Sequence, residues 1–167
     1  MNSRALLRYA AIILVISVNI GCDQASKYAV RDRLGYHEQI RLVNDNVVLM
    51  KVENTGAFLS LGDSLSPLAK SILLSALPSA ALLLLVFWLF GQNSGKWAIF
   101  GLCCIAGGGI GNIYDRIVYG SVTDFLYIHY GVFRTGVFNC ADMSITLGTF
   151  LIVLQQVWRS RKVENTA

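Results

Sequence analysis

The stretch "SVNIGCDQASK", Ser17 to Lys27, decides how the rest of the chain is read. It closes an apolar run over residues 5–21 that follows Arg4 and Arg8, and it sets a small residue before Cys22 and a carboxylate after it. Either the run is a leader removed at Cys22, or it stays in a membrane and delivers Asp23 to the surface.

Composition favours the second reading. Of 167 residues, 54% are hydrophobic and only 14% charged, with a mean hydropathy of +0.54, whereas soluble domains carry about 25% charged residues. Three more apolar runs follow, over 68–90, 97–113 and 143–158. A backbone exposed to lipid must satisfy its own hydrogen bonds, so each run reads as a helix, with Pro78 tolerated in the second. The net charge of +4 is spread between apolar runs and forms no dense basic patch, which argues against a nucleic-acid partner. The expectation is an all-α membrane protein, one integral domain over 1–167, with outer loops over about 22–67 and 112–142.

Orientation follows from Lys and Arg near the ends of the runs. Arg4, Arg8, Lys96, Arg159, Arg161 and Lys162 share one side if all four runs span, and the positive-inside rule makes that side cytoplasmic. Trp88, Trp97 and Trp158 fall at the same side, where indoles anchor at the interface. In the first outer loop, Lys27, Arg31, Arg33, Arg41 and Lys51 are offset by Asp23, Asp32, Glu38, Asp45, Glu53 and Asp63. There "EQIRLVNDNVVLMKVENTGAF" mixes β-branched residues with turn formers and reads as short strands around "NDN".

Helices that run out, in, out and in bring Asp23, Asn54, Asn112, Asp115, Arg116, Asp124, Asn139 and Asp142 to one mouth. Ionisable residues near membrane depth usually mark function. The glycines of "AGGGIGNIYDR" read as close helix packing in preference to a dinucleotide loop, since no strand precedes them. Asp115 and Arg116 are either an interfacial charge pair or part of the chemistry. Asp142 is either a helix cap or a working carboxylate. Paired with Asp124 of "GSVTDF", it offers two carboxylates that can share a proton and activate a water for amide hydrolysis.

Competing chemistries are poorly supplied. His37 and His129 lack zinc-site spacing, no G-x-S-x-G elbow occurs, and Ser66 with Lys70 reads as a proline-led helix start beside a snorkelling lysine. No metal or cofactor is expected. Cys103 and Cys104 read as packing residues inside the third run, and a Cys22–Cys140 bridge is unsupported by any spacing argument. A small transporter or a structural membrane subunit is the alternative, although a transporter would hold its polar residues near the midplane.

"DQASK", "ENTGAF", "GGGIGNIYDR", "GSVTDF" and "FNCADMSI" occur here in one order, and in that order the chain resembles the lipoprotein signal peptidase family, the bacterial signal peptidase II. The resemblance runs from Asp23 to Ile145. It implies an aspartyl endopeptidase, multi-pass in the bacterial cell inner membrane, with both termini cytoplasmic and the site near the periplasmic face. Its substrates would be diacylglyceryl-modified prolipoproteins met in membrane lipid and cut on the amino side of the lipidated cysteine. The implied catalytic pair is Asp124 and Asp142. The implied supporting residues are Asp23, Lys27, Asn54, Gly108, Asn112, Asp115, Arg116, Asn139 and Ala141. The resemblance also implies binding of globomycin-type inhibitors, a small periplasmic β-sheet cradle, and a short periplasmic helix expected around 127–135. The opening stretch is then a wall of the site and not a substrate's cleavage box. Asn19 stands three before Cys22, where lipoprotein precursors usually carry leucine.

A topology experiment tests the charge argument. A reporter active only in the periplasm should be silent when fused after Ala167 and active within 22–67; activity after Ala167 refutes the orientation.

Overall fold

A computed structural model describes residues 3–56, 64–92 and 94–164, with side chains as far as 161. Ala57, Phe58 and Asp63, and the side chain of Lys162, lie outside the described residues. The elements are α1 (Ser3–Arg33), β1 (Gln39–Leu42), β2 (Val47–Asn54), α2 (Pro67–Lys70), a π-helical turn (Ser71–Ala76), α3 (Leu77–Gly91), α4 (Lys96–Tyr119), β3 (Val122–Tyr130), β4 (Phe133–Arg134) and α5 (Cys140–Glu164).

Among the described residues, four helices are long and apolar enough to cross a membrane: α1, the continuous Pro67–Gly91 unit, α4 and α5. They turn Leu14, Leu84, Phe87 and Phe150 outward, which only a lipid surround makes favourable for so many large side chains. Half of the α4 apolar window is buried, against 6–11% for the other three, so α4 is the central helix.

Small residues let the others close on α4. A Cβ at Gly101 would lie 2.7 Å from the Gly148 carbonyl of α5, and one at Gly109 would lie 2.8 Å from Leu82 of α3. A Cβ at Gly107 would lie 2.6 Å from Asn19 of α1. In lipid, where tails are as apolar as side chains, such close approach supplies the dispersion contacts that hold helices together. Asn19 also donates to the Val15 carbonyl at 2.8 Å and meets the Ser144 hydroxyl of α5, so the first run is an integral part of the bundle.

The π-helical turn has a local cause. Pro78 has no N–H and its ring opposes the carbonyl four residues back, so widening the preceding turn removes the clash while Leu77 N–H reaches Ile72 O. Ser66 caps the start of the same unit, its side chain accepting from Ala69 N–H, and Lys70 reaches Thr55 Oγ1 at 2.9 Å. Pro67 occupies the first helical position, as expected for a proline-led start.

The sheet is an antiparallel meander in the order β1-β2-β3-β4. "NDN" forms the turn between β1 and β2, where Asn44 and Asp45 tolerate positive φ. The expected helix around 127–135 is a correction: strand propensity wins in "VTDFLYIHY", and Gly131, with φ of 59°, turns β3 back into β4. No separate short helix covers the sheet among the described residues.

The helix ends also differ from expectation. Helix α1 continues to Arg33, α4 continues to Tyr119, and α5 begins at Cys140, so the connecting segments run 34–66 and 120–139 instead of 22–67 and 112–142. Hydropathy falls at residue 22, but the buried partners of Asp23 and Lys27 keep the helix going. Gly120, with φ of 76°, ends α4 in a left-handed cap that bonds the Arg116 carbonyl.

The α4–α5 crossing predicts a contrast. Gly101→Ala forces α4 away from the Gly148 carbonyl and should destabilise by about 1–3 kcal/mol, whereas Gly21→Ala, with open space at its Cβ position, should be neutral or stabilising. Thermal unfolding in detergent measures both; equal effects refute the packing argument.

Candidate functional site

Continuation of α1 past residue 22 puts Asp23, Lys27 and Arg31 at i, i+4, i+8 on one face, turned toward α4. Lys27 is fully buried. Its Nζ lies 2.8 Å from Asp23 Oδ2, 3.0 Å from Asp115 Oδ2 and 2.9 Å from Asn112 Oδ1, so three donors meet three acceptors. Arg31 pairs with Asp115 at 3.0 Å, donates from Nε to Thr123 Oγ1 at 2.8 Å and covers the Tyr119 ring at 3.9 Å. The second oxygen of Asp23 accepts from the Ala141 N–H at 2.9 Å, which ties the start of α5 to α1.

Asn112 and Asn139 carry this cluster to two further carboxylates. Asn112 Nδ2 donates to Asp142 Oδ1 at 2.9 Å. Asn139 Nδ2 donates to Asp124 Oδ1 at 2.6 Å and to Asn112 Oδ1 at 3.1 Å. Asn139 also caps α5: its Oδ1 accepts from Asp142 N–H at 3.0 Å, while Asp142 Oδ2 accepts from Asn139 N–H at 3.1 Å. This reciprocal pair is a capping box with aspartate in the glutamate position. Asp142 is thus both part of the cap and a member of the polar cluster.

Asp124 reaches the cluster through the sheet. Leu126 exchanges two backbone hydrogen bonds with Phe138, at 2.8 and 2.9 Å, so Asn139 arrives beside β3 at the level of Asp124. On the other edge, β2 bulges between Leu49 and Val52, one residue more than its partner. Before the bulge Leu49 faces Leu126; after it Val52 faces Asp124 and Asn54 faces Val122. Side chains alternate faces, so without that extra residue Asn54 would share a face with Ser121. With it, Asn54 lies diagonally across from Asp124 and donates from Nδ2 to Asp124 Oδ2 at 3.0 Å. The same shift puts Glu53 opposite Thr123, where it accepts from Thr123 Oγ1 and Ser121 Oγ.

Burial pushes the Asp124 carboxyl up to about 6; the donors Asn54 and Asn139 oppose this, and the nearby Asp142 charge adds to it. Arg116 is half-buried on the last turns of α4, within electrostatic range of Asp124 and Asp142, and donates from Nη2 to the Gly56 carbonyl at 3.0 Å. It therefore holds the chain just after β2 against the mouth.

All the expected site residues gather at one end of the bundle. Gly108 meets the Ala141 carbonyl and Ile145, so a side chain there would push α5 away from the cluster, and Gly111 lies equally close to Asp23. Sequence reading missed Arg31, Gln24, Glu53 and Thr123. Gln24 spans Asp23 Oδ2, Gly111 O and Asp115 Oδ1 at 3.1–3.2 Å. The signal was the four-residue spacing of Asp23, Lys27 and Arg31, hidden once the helix was ended at residue 21. Among the described residues, no group of three or more His, Cys, Asp or Glu is placed to hold a metal ion.

Known proteins resemble the chain over nearly all its length. The family described as Signal peptidase (SPase) II matches residues 14–158. The lipoprotein signal peptidase of Desulforapulum autotrophicum is 32% identical over 160 residues, covering 95% of this chain and 96% of that one. The lipoprotein signal peptidase of Brucella ovis is 30% identical over 155 residues, covering 92% and 94%. Two solved structures described as bacterial membrane enzymes superpose with TM-scores of 0.80 and 0.74 at 22% identity. They cover 90% of this chain and 90% of the first, and 88% of this chain and 92% of the second. That likeness is one of fold.

Removing the buried ammonium tests the cluster. Lys27→Met leaves two buried carboxylates facing each other and should destabilise by about 3–5 kcal/mol. Adding Asp23→Asn should restore part of the loss. Thermal unfolding decides: if the double variant is less stable than Lys27→Met by the full Asp23→Asn effect, the two residues are not coupled.

Proposed function

Because the chain belongs to the signal peptidase II family, we propose that this polar cluster is an aspartyl peptidase site, and that the chain acts as one integral membrane peptidase domain. The protein removes the signal peptide of lipoprotein precursors in a bacterial membrane that its helices cross several times. The finer reading is cleavage on the amino side of a diacylglyceryl-modified cysteine. It places the site and sheet near the periplasmic face and both termini in the cytoplasm, on the side of Arg4, Arg8, Lys96, Arg159 and Arg161. Globomycin-type inhibitors would compete for the same mouth.

One observation carries the catalytic reading. Asp124 and Asp142, from a strand and a helix, are both held by Asn139, with their remaining oxygens fixed by Asn54 and Asn112. In the proposed reaction one carboxylate takes a proton from water as it attacks the scissile carbonyl, while the other, protonated, donates to the developing oxyanion. Burial favours the protonated form of Asp124, which suits it to the acid role. Asp142, in the first turn of α5, is left with the base role. As the C–N bond breaks, the proton taken from water passes from the base to the leaving amine, and the carboxyl forming on the product returns the other proton to the first acid, which restores the pair. Asn54, Asn112 and Asn139 orient the pair and do not react. Asp23, Lys27, Asp115, Gly108 and Ala141 set the helices that carry them, and Arg116 holds the chain after β2.

The carboxylates give the direct test. Asp124→Asn and Asp142→Asn should each lower the rate of prolipoprotein cleavage by at least 10³-fold in folded protein, because asparagine keeps the shape but cannot cycle the proton. Near-wild-type cleavage by either variant would overturn the assignment.

The pH profile gives a second test. The pair needs one proton, so kcat/KM should fall as pH rises past about 6, the value to which Asp124 is pushed. Asn54 donates to the charged form and so lowers the carboxyl. Asn54→Ala should therefore move that limb to higher pH as well as slow turnover; a limb that stays put or moves down contradicts the role given to Asn54.

A further inference from the structure

On the face of the sheet turned away from Asp124, a second hydrogen-bonded group joins the same two strands. Glu53 stands opposite Thr123, and its two carboxylate oxygens are engaged separately: Thr123 Oγ1 donates to Oε1 at 2.8 Å and Ser121 Oγ donates to Oε2 at 2.5 Å. Arg31 Nε donates to Thr123 Oγ1 at 2.8 Å, so that oxygen accepts from the guanidinium while its own proton is directed at Glu53. Thr123 is fully buried, and its N–H donates to Asp115 Oδ2 at 3.4 Å. One position further along β2, Asn54 stands opposite Val122 on the other face and donates to Asp124 Oδ2 at 3.0 Å. The two contacts run along opposite diagonals. Glu53 reaches from the level of Thr123 back to Ser121, and Asn54 reaches from the level of Val122 forward to Asp124. A slide of β2 in either direction along β3 therefore stretches one of them.

The backbone ladder gives this end of β2 little hold by itself. Among the described residues, three pairs follow the bulge, from Val52 with Asp124 to Asn54 with Val122, and the bulge interrupts the ladder before them. We propose that Glu53 is a positioning residue: bonded across Ser121 and Thr123, it holds the end of β2 at the register from which Asn54 reaches Asp124. The expected effect on cleavage rests on the peptidase reading, whereas the expected effect on the Asp124 carboxyl does not. That carboxyl is faced by Asp142 of α5, Arg116 of α4, Lys27 of α1 and the amides of Asn54 and Asn139. Burial raises it and the Asn54 bond lowers it. Loss of the Glu53 clamp withdraws Asn54, so the carboxyl rises further. The Glu53 charge acts in the opposite sense, because removing a nearby negative charge alone lowers a carboxyl. A role confined to folding leaves it in place. The sign of the change thus separates positioning from both.

Carbon-13 NMR of the full chain in detergent, with labelled aspartate carboxyls, follows Asp124 directly, its signal assigned by its absence in Asp124→Asn. Prolipoprotein cleavage is measured in parallel. Glu53→Ala should raise the Asp124 midpoint by about one pH unit, the size expected for one hydrogen bond to a carboxylate. It should move the high-pH limb of kcat/KM by the same amount and lower kcat about tenfold with KM little changed. Glu53→Gln keeps an acceptor for Thr123 and offers an amide donor to Ser121 Oγ, so it should bring both readouts back close to wild type. In an Asn54→Ala background, Glu53→Ala should raise the carboxyl no further. Thermal midpoints establish that each variant is folded. Ser121→Ala removes one arm of the clamp and keeps the test open if Glu53→Ala unfolds; it should raise the carboxyl by a smaller amount. An Asp124 midpoint that stays or falls in folded Glu53→Ala overturns the proposal, as does an unchanged midpoint in Ser121→Ala. A carboxyl raised as far in Glu53→Gln as in Glu53→Ala overturns it too, as does a full further rise in the Asn54→Ala background. A wild-type chain that leaves prolipoprotein uncut counts against the peptidase reading, while a raised Asp124 midpoint in Glu53→Ala still supports the clamp.

Discussion

The Lys27 ammonium is the interaction on which the rest of the site depends. A buried cation at the end of α1 must be met by anions, and Asp23 of the same helix supplies only one. The second, Asp115, and the amide of Asn112 come from α4, so the charge match fixes the rotation and height of α1 against α4. Glycine packing cannot do this alone, because small residues permit close approach at several registers while lipid is indifferent among them. Asp23 then passes the alignment to α5 through the Ala141 N–H, and Asn112 passes it to Asp142. Three helices are registered by one polar cluster, and the proposed catalytic pair inherits its position from it.

The strand that carries Asp124 needs a different device. A sheet edge slides by two residues without changing which face a side chain occupies, but a one-residue change inverts the face. The bulge in β2 makes that inversion once, between Leu49 and Val52, so the outer half of the sheet keeps one pattern and the half next to α4 takes the other. Asn54 thereby reaches Asp124 while Glu53 turns to Thr123 and Ser121. Thr123 receives Arg31 Nε, so the far face of β3 is tied back to α1 and the residue before Asp124 is held from behind. Sheet and bundle are thus joined on both sides of the carboxylate.

Much of this was legible in the sequence, and the failures have physical causes. The apolar runs located four helices because lipid demands length and hydropathy, and the convergence of Asp23, Asn112, Asp124, Asn139 and Asp142 followed from the alternating direction of those helices. The ends of α1 and α4 were placed too early, because hydropathy stops reporting helix where polar residues find buried partners. Asp115 and Arg116 are as helical as Gly107, but their stabilisation comes from Lys27, Arg31 and the chain at Gly56, which no local pattern displays. The segment after Asp124 was expected to contain a helix, yet its β-branched and aromatic residues extend β3 beside β2. The bulge was invisible, since an extra residue in one strand has meaning only against its partner.

Charge balance gives the proposed proton sharing a basis beyond resemblance. Among the described residues, four carboxylates meet in or beside the buried cluster, those of Asp23, Asp115, Asp124 and Asp142, and three cations face them, Lys27, Arg31 and Arg116. Glu53 stands on the other face of the sheet with hydroxyl partners and does not enter this count. Fully ionised, the cluster carries one negative charge in excess, and an uncompensated charge in a low dielectric costs more than protonating a carboxylate. The proton is best retained where no cation makes direct contact. Asp23 and Asp115 are both within 3.0 Å of Lys27, whereas Asp124 and Asp142 receive neutral amide donors. The structure therefore assigns the cations to the carboxylates that align the helices and leaves the neutral amides to the pair, so the acid and base of the proposed reaction are separated from the framework by what each carboxylate is bonded to.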